Sequence, residues 1–362
     1  MANPTFVRMQ RELLAYLACP LSGSPLDFFP LSPEDSGEIR EGILLSACGP
    51  AYPVIAGVPR LLPDAILEHD DFLRKNLPEF EERKQLTLSQ FSYEIHLAER
   101  KNRRTRASFT QEWKGHDYGS GHTWNQDAAT QEQQFYAECG ETSTQIHGKI
   151  VLDAGCGNGQ LAMRLASSAA VVLAMDFSAA VEMAASVNLN RNCHFIQADV
   201  EFPPLKKGIA DLIYCSGVLI HTRNTRNSFF RLLPCLAQNG KFSIWVYRRR
   251  SELLHRLFNQ LREHTARLPQ EIQHTFLRYF IFYPALLMKR IKKNFQPASG
   301  LWVEVLDWFT PEFRHEHEEE EVLRWYTEAG LSKARISDTN HWGFSVLGEN
   351  RPANQELPGI LV

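Results

Sequence analysis

VLDAGCGNG, residues 151–159, places an acid and three glycines directly after an apolar run that begins at Ile150. A strand that ends in glycines and runs into a helix leaves backbone N–H groups exposed, and a ligand can approach them with no Cβ in the way. The pattern marks a nucleotide-type site. Its spacing, Gly155-x-Gly157-x-Gly159, is tighter than the GxGxxG that seats a dinucleotide pyrophosphate. Asp153 also sits inside the loop, where its carboxylate would repel a pyrophosphate but suits an ammonium group.

Reading outward, a second acid, Asp176, closes the next apolar run, VVLAMD, 23 residues beyond Asp153. A carboxylate at that strand end can accept hydrogen bonds from both hydroxyls of a ribose. A third, Asp199, closes FIQAD and is placed to bind an adenine amino group. Three acids at successive strand ends describe a ligand with an amine, a ribose and an adenine, and no phosphate. Between and beyond them, strand-like runs alternate with helical periodicity over residues 149–247, and KARISD and WGFSVLG add two late strands. That alternation predicts an α/β fold with a parallel sheet and helices on both faces.

VLDAGCGNG, AMDFS, FIQADVEFPPL, DLIYCSGVLIHT and LAQNGKFSIWVY resemble, in order and spacing, the successive motifs of the class I S-adenosylmethionine-dependent methyltransferases. The resemblance implies a Rossmann-like sheet of seven mostly parallel strands, the last antiparallel. It implies S-adenosyl-L-methionine as cofactor, with Asp153, Ala154, Gly155, Cys156, Gly157, Asn158 and Gly159 at its methionine end. Asp176 would hold the ribose, Phe177 would flank the adenine, and Asp199 and Val200 would read its edge. Ser216 completes the expected cofactor set.

The organisation expected around this domain (148–247 and 301–352) has three parts. Residues 1–63, rich in Pro, Gly and Ser, form a small β-rich module. LACPLSGSPL and SACGPAYPVIAGVPRLLP resemble the small zinc-binding module that activates tRNA and protein methyltransferases. Such modules carry two CxxC pairs; here Cys19 and Cys48 keep their places while Ser22 and Leu45 occupy the partner positions. Two thiolates are too few for a closed zinc site, so no metal is expected. Residues 64–147 read as a helical linker and lid. In the lid Trp113, Tyr118 and Trp124, with His116 and His122 among glycines, either cover a site or anchor the linker on the core. Residues 248–300 read as an inserted basic helical cap. Segment 248–293 has eleven Lys and Arg against three Glu, and FLRYFIFYPALLM (276–288) lies within it. This stretch suits a cap over the pocket or a peripheral contact of 276–293 with an anionic membrane surface. Pro284 favours the cap, because it should break a continuous surface helix.

Methyl transfer is an in-line displacement, so alignment carries much of the catalysis, and a base is needed only where the acceptor must lose a proton. In CSGVLIHT, the loop after the fourth strand, His221 is the residue that can accept a proton near neutrality, although a histidine at a helix start also serves as a cap. His315 and His317 are further candidates to face an acceptor, and Glu318 to Glu321 read as a solvated first helical turn. CSGV stands where amino-group DNA methylases carry a DPPY-type tetrapeptide, which argues against adenine methylation of nucleic acid.

A net charge of −3 gives no global attraction for polyanions. The first twenty residues lack the basic and apolar regions of a secretion signal, and seven scattered cysteines form no CxxC, so a cytoplasmic location is expected. Enclosure by a lid and a cap favours a small-molecule or lipid-linked acceptor, methylated first at oxygen, with nitrogen and carbon open. Rival readings are a nicotinamide dehydrogenase, which would want GxGxxG, a cofactor-binding partner subunit without activity, and a tRNA or protein methyltransferase.

Overall fold

Val151 and Leu152 are neighbours in the chain and both fully buried, yet they belong to different apolar clusters. Side chains alternate across a strand, so burial of both requires a sheet covered on both faces. The computed structural model describes residues 9–33, 37–114, 122–123, 126–266, 268–293 and 298–350.

The chain opens with β1 (Met9–Gln10), β2 (Leu26–Pro30), β3 (Glu38–Ile39), β4 (Gly42–Ser46), β5 (Ala51–Ile55) and β6 (Val58–Leu61). Helices α1 (Ala65–Glu68), α2 (Asp70–Asn76) and α3 (Phe80–Lys114, kinked at Phe91) follow. A short pair, β7 (His122–Thr123) and β8 (Gln126–Asp127), leads into α4 (Ala128–Cys139). The Asp127 carboxylate caps α4 by accepting from the Thr130 amide, and Gly140, at φ 57°, ends it.

The alternating region then gives β9 (Ile150–Ala154), α5 (Gln160–Leu165), β10 (Val171–Asp176), α6 (Ala180–Val187), β11 (Cys193–Ala198), β12 (Ala210–Ser216), α7 (Thr225–Leu232) and β13 (Leu236–Tyr247). Helices α8 (Leu253–Thr265), α9 (Gln270–Leu277), α10 (Tyr283–Ile291) and α11 (Ala298–Phe309) form the insertion. The chain closes with α12 (Glu319–Glu328), β14 (Leu331–Thr339) and β15 (Gly343–Asn350).

The sheet corrects two expectations: it has eleven strands rather than seven, and it is mixed rather than mostly parallel. Its order is β14-β15-β13-β12-β9-β10-β11-β6-β5-β4-β2. The seven anticipated strands lie together from β14 to β11, with β15 antiparallel to both its neighbours. The other four come from the N-terminal segment. There β6 pairs in parallel with β11, Arg60 opposite Gln197 and Leu61 opposite Ala198, and β5, β4 and β2 continue antiparallel. Without β6, the N–H and C=O groups along β11 would form an open edge. The Arg60 guanidinium fastens the junction, donating to Glu182 Oε1 at 2.8 Å and Gln197 Oε1 at 3.2 Å. Leu13, Leu17, Tyr52 and Val54 accordingly share one apolar cluster with Leu152, Leu173 and Ile213.

Around Cys19 and Ser22, in the segment that resembles the zinc module, hydroxyl groups gather. Ser24 Oγ lies 2.8 Å from Ser22 Oγ and 2.9 Å from Ser46 Oγ, and Cys19 Sγ lies 3.2 Å from the Tyr52 hydroxyl.

On one face of the sheet, α4, α5 and α6 cover Val151, Val172 and Leu212 through Phe135, Leu165 and Val181. On the other, Phe229, Trp325 and Tyr326 of α7 and α12 pack on Phe242, Ile244 and Val346. In the insertion, Pro284 does not interrupt the helical path as expected. A π-helical turn at Arg278–Phe282 joins α9 to α10 and takes up the widening, so proline falls in the first turn of α10. Leu277 and Phe282 pack on Leu301, Val305 and Phe309, so the cap runs on through α11 rather than ending near residue 300.

Candidate active site

The C-terminal ends of β9 to β13 open into one cavity of about 830 Å³. Its floor is the glycine loop. Past Ala154 the chain turns sharply at Gly155 (φ 93°), where a Cβ would stand 2.2 Å from Val218 Cγ2. This reversal lets the amides of Gly155 and Cys156 both donate to the Met175 carbonyl, at 2.7 and 3.0 Å, locking the loop to the end of β10. Gly159 is a glycine for another reason: a Cβ there would strike Phe195 and Ala184, so it permits α6 and β11 to close on the start of α5. Neither Gly159 nor Ala154 lines the cavity; the other eleven anticipated site residues, from Asp153 to His221, do.

The acids of β9 and β10 are buried but solvated differently. Asp176 accepts from the Ser178 amide and hydroxyl at 2.8 and 2.7 Å, and from the Gly157 amide at 3.1 Å. Burial raises its pKa, while those three donors oppose the rise. Asp153 has a buried carboxylate oxygen, Oδ2, with no protein partner. Burial first, and then the nearby charge of Asp176, push its pKa up to about 7. An unpaired carboxylate oxygen buried in a cavity wall is costly unless a donor meets it there, and an ammonium group is the donor that would lower that cost most. Asp199 is held by the Glu201 amide at 2.9 Å, and Glu201 in turn pairs with Arg223 at 3.1 Å. The donor set thus fits an amino-acid end at Asp153 and a hydroxylated, nitrogenous end at Asp176 and Asp199.

His221 lies on the 3-10 turn Leu219–His221 that follows β12. Its Nδ1 is 3.0 Å from the Phe313 carbonyl, which can only accept, so Nδ1 carries the proton and Nε2 the lone pair. Burial drops its pKa to about 3, and the charges of Arg314 and Arg262 add to the fall. The ring is therefore neutral across the physiological range.

The part of the wall built by β13, α11 and the segments around 313 and 342 is aromatic. Trp245 and Tyr247, two residues apart on β13, stand beside Trp308 and Phe309 of α11, with Phe313 and Trp342. The Arg314 guanidinium sits between two of these rings, 4.0 Å from the Tyr247 centroid and 3.9 Å from that of Trp308. It also pairs with Glu316, which accepts from His255 of α8 at 2.6 Å. This buried knot ties the cap to the core. Lys289 and Glu304, paired at 3.3 Å, add polar groups to the cap's wall.

Sequence reasoning missed this aromatic end and the glutamines Gln131 and Gln134 of α4 that face the same cavity. The alternation Trp245-x-Tyr247 at a strand end was the available signal. His315 and His317 do not belong to the cavity wall, contrary to expectation. His315 Nε2 donates to the Thr222 carbonyl at 2.9 Å, and His317 contacts Glu321 and Thr225 at 3.1 and 2.9 Å. They latch segment 313–317 to the loop after β12. Glu318, Glu319 and Glu321 meet Arg248 and Arg249 at the start of α12. His116, Tyr118 and Trp124 lie outside the described residues, as do the side chains of Trp113 and His122.

Residues 151–240 match the family described as "Methyltransferase domain". A mitochondrial ubiquinone biosynthesis O-methyltransferase of Schizosaccharomyces pombe is 34% identical over 139 residues, 36% of this chain and 50% of that protein. An uncharacterized methyltransferase of Mycobacterium tuberculosis is 32% identical over 100 residues, 27% of this chain and 51% of that protein. The chain spans about half the length of these curated relatives. A magnesium protoporphyrin IX methyltransferase structure from Synechocystis, with bound S-adenosylhomocysteine, covers 68% of this chain and 98% of its own at 15% identity and a TM-score of 0.40. Residues 151–240, which open with the glycine loop and include the strand-end acids Asp153, Asp176 and Asp199, are thus similar to a methyltransferase domain.

Proposed function

We propose that the protein transfers a methyl group from S-adenosylmethionine to a small or amphiphilic acceptor, at oxygen. The observation that carries the reading is the unpartnered Oδ2 of Asp153, buried in the wall of a cavity that is also lined by indole and phenol rings. When bound, S-adenosylmethionine supplies a methyl group made electrophilic by its sulfonium. Asp153 and the glycine loop from Gly155 to Asn158 wall the amino-acid end, with Ser216 beside them. Asp176 takes the ribose hydroxyls, Phe177 covers the adenine, and Asp199 with Val200 meets its edge.

Tyr247, Trp308 and Trp342 orient the acceptor, and rings clamped by Arg314 can do so with little loss of conformational freedom. His221, neutral and fixed by Phe313, presents Nε2 as the proton acceptor for a hydroxyl. Its low pKa makes it a weak base, which limits the assignment to an acceptor whose hydroxyl is itself acidic, such as a phenol or enol. An acceptor of that class also matches the aromatic walls. The relative from Schizosaccharomyces pombe is named as an O-methyltransferase, which supports oxygen over nitrogen or carbon. The N-terminal segment, read as a metal-free relative of the activator module, braces the sheet at β11.

Isothermal titration with S-adenosylmethionine, S-adenosylhomocysteine and NADH tests the cofactor, and a screen of phenolic and enolic acceptors for S-adenosylhomocysteine release tests the reaction. Binding of both sulfur ligands and not NADH, with turnover on an oxygen acceptor, is the expected result. Binding without turnover on any acceptor class would favour a partner subunit, and no binding would remove the reading.

A further inference from the structure

The cap has a second apolar face. Leu277 and Phe282 point into its core, 0% and 8% exposed, against Leu301, Val305 and Phe309. On the outside of the same helical path Tyr279, Phe280, Tyr283, Leu287, Met288 and Ile291 stand in solvent, the last of them 72% exposed. Phe280 stacks on the half-buried Phe276 at 4.9 Å and Tyr279 meets Tyr283 at 5.7 Å, so the exposed rings lie in pairs along this path. A surface helix ordinarily turns one apolar stripe inward and a polar face outward. This one is apolar on both sides.

The charges around the stripe have one sign. Segment 276–293 holds Arg278, Lys289, Arg290, Lys292 and Lys293 and no acid, in a chain whose net charge is −3. Arg278, Arg290, Lys292 and Lys293 are exposed. Exposed aromatic and aliphatic side chains rimmed by Lys and Arg fit the boundary between lipid headgroups and acyl chains, where the rings enter and the cations meet phosphate. The same helix contributes Lys289 to the cavity, and the helix packed on its inner face contributes Leu301, Glu304 and Val305.

We propose that α9, the π turn and α10 dock the protein on an anionic bilayer surface, so that an amphiphilic acceptor passes from the membrane into the cavity past Lys289 and Glu304. The delivery of an acceptor rests on the methyltransferase reading; the docking does not. A second copy of this chain is the competing occupant, but it would bring a basic rim against the same basic rim, at a cost in repulsion.

The test is co-sedimentation of the whole protein with vesicles of pure phosphatidylcholine and of phosphatidylcholine mixed with phosphatidylglycerol, at low and high salt, beside analytical ultracentrifugation of the protein alone. Two variants accompany it: Phe280→Ser/Leu287→Ser/Ile291→Ser, and Arg290→Glu/Lys292→Glu/Lys293→Glu, which alters only exposed charges should the first fail to fold. Docking predicts binding to the anionic vesicles that weakens with salt and falls about tenfold or more in each variant. The absence of anionic-vesicle binding by a monomeric protein overturns the proposal. Equal binding to both vesicle types does so too, as does a dimer that the serine variant dissociates. S-adenosylhomocysteine titration on the same samples reports the cofactor site separately, so loss of that binding with docking intact would remove the methyltransferase reading alone.

Discussion

The two ends of the cavity are built by opposite means. At the cofactor end a few consecutive residues at each strand end supply the wall, and backbone geometry fixes it: Gly155 at φ 93° and the Gly157 amide on Asp176 leave little to side-chain packing. At the aromatic end Trp245, Trp308 with Phe313, and Trp342 come from three separate parts of the chain and are held by side chains, above all Arg314 between Tyr247 and Trp308. A common ligand can be met by a local motif, whereas a particular acceptor requires surfaces gathered from distant segments. The division predicts that substitutions at one end leave binding at the other intact.

Asp176→Ala should break the cofactor end most severely. It removes both the proposed ribose acceptors and the anchor of the Gly157 amide, and S-adenosylhomocysteine affinity should fall about a hundredfold or more by titration calorimetry. Ser178→Ala removes one internal donor to the same carboxylate and should cost far less. Equal losses in the two variants would mean that Asp176 matters only as a loop anchor.

His221→Gln probes the boundary between the ends. A drop in kcat of roughly tenfold to a hundredfold is expected, with S-adenosylhomocysteine affinity unchanged. With its pKa held near 3 by burial, the imidazole stays unprotonated from pH 5 to 8, so the kcat profile should carry no histidine limb there. A limb near 6.5 that disappears in the variant would show that His221 titrates as an ordinary exposed histidine and would remove the assignment.

Trp308→Ala sharpens the contrast from the other side. It deletes one wall of the aromatic end and one ring of the Arg314 clamp, so the acceptor KM should rise about tenfold while cofactor affinity holds. A parallel loss of cofactor affinity would show that the two ends share one packing unit and are not separable.

The same division explains what could be read from the sequence. The glycine loop, Asp176 and Asp199 were legible because each is a local pattern set by the end of one strand, and the alternation of runs over 149–247 announced the central strands. The pairing of β6 with β11 was not, because it joins residues more than 130 apart through two matched pairs and one arginine. The histidines of 315 and 317 misled because a titratable side chain near a site is identical on paper to one that hydrogen-bonds a neighbouring carbonyl. The aromatic end stayed hidden because tryptophans of α11 and β13 read equally well as core.

The smallest expected effect concerns Asp153. In the unfolded chain its carboxyl ionises near 3.8, and in the folded cofactor-free protein near 7. Between those values the folded state holds a proton that the unfolded state has released, so stability falls as pH rises through this window and stays low above it. Asp153→Asn should therefore leave the melting temperature unchanged at pH 4 and raise it by a few degrees at pH 8. The expected gain is about 1 kcal/mol rather than the full value of a three-unit shift, because the surroundings of a buried charge relax around it. The same variant should weaken S-adenosylhomocysteine, whose ammonium group would lose its counter-charge. Stability gained where affinity is lost would show that the chain retains an ionised acid at the end of β9 for its ligand. If instead the variant were less stable at pH 8, the carboxylate would have a structural partner, and the case for an ammonium ligand at that end of the cavity would fail.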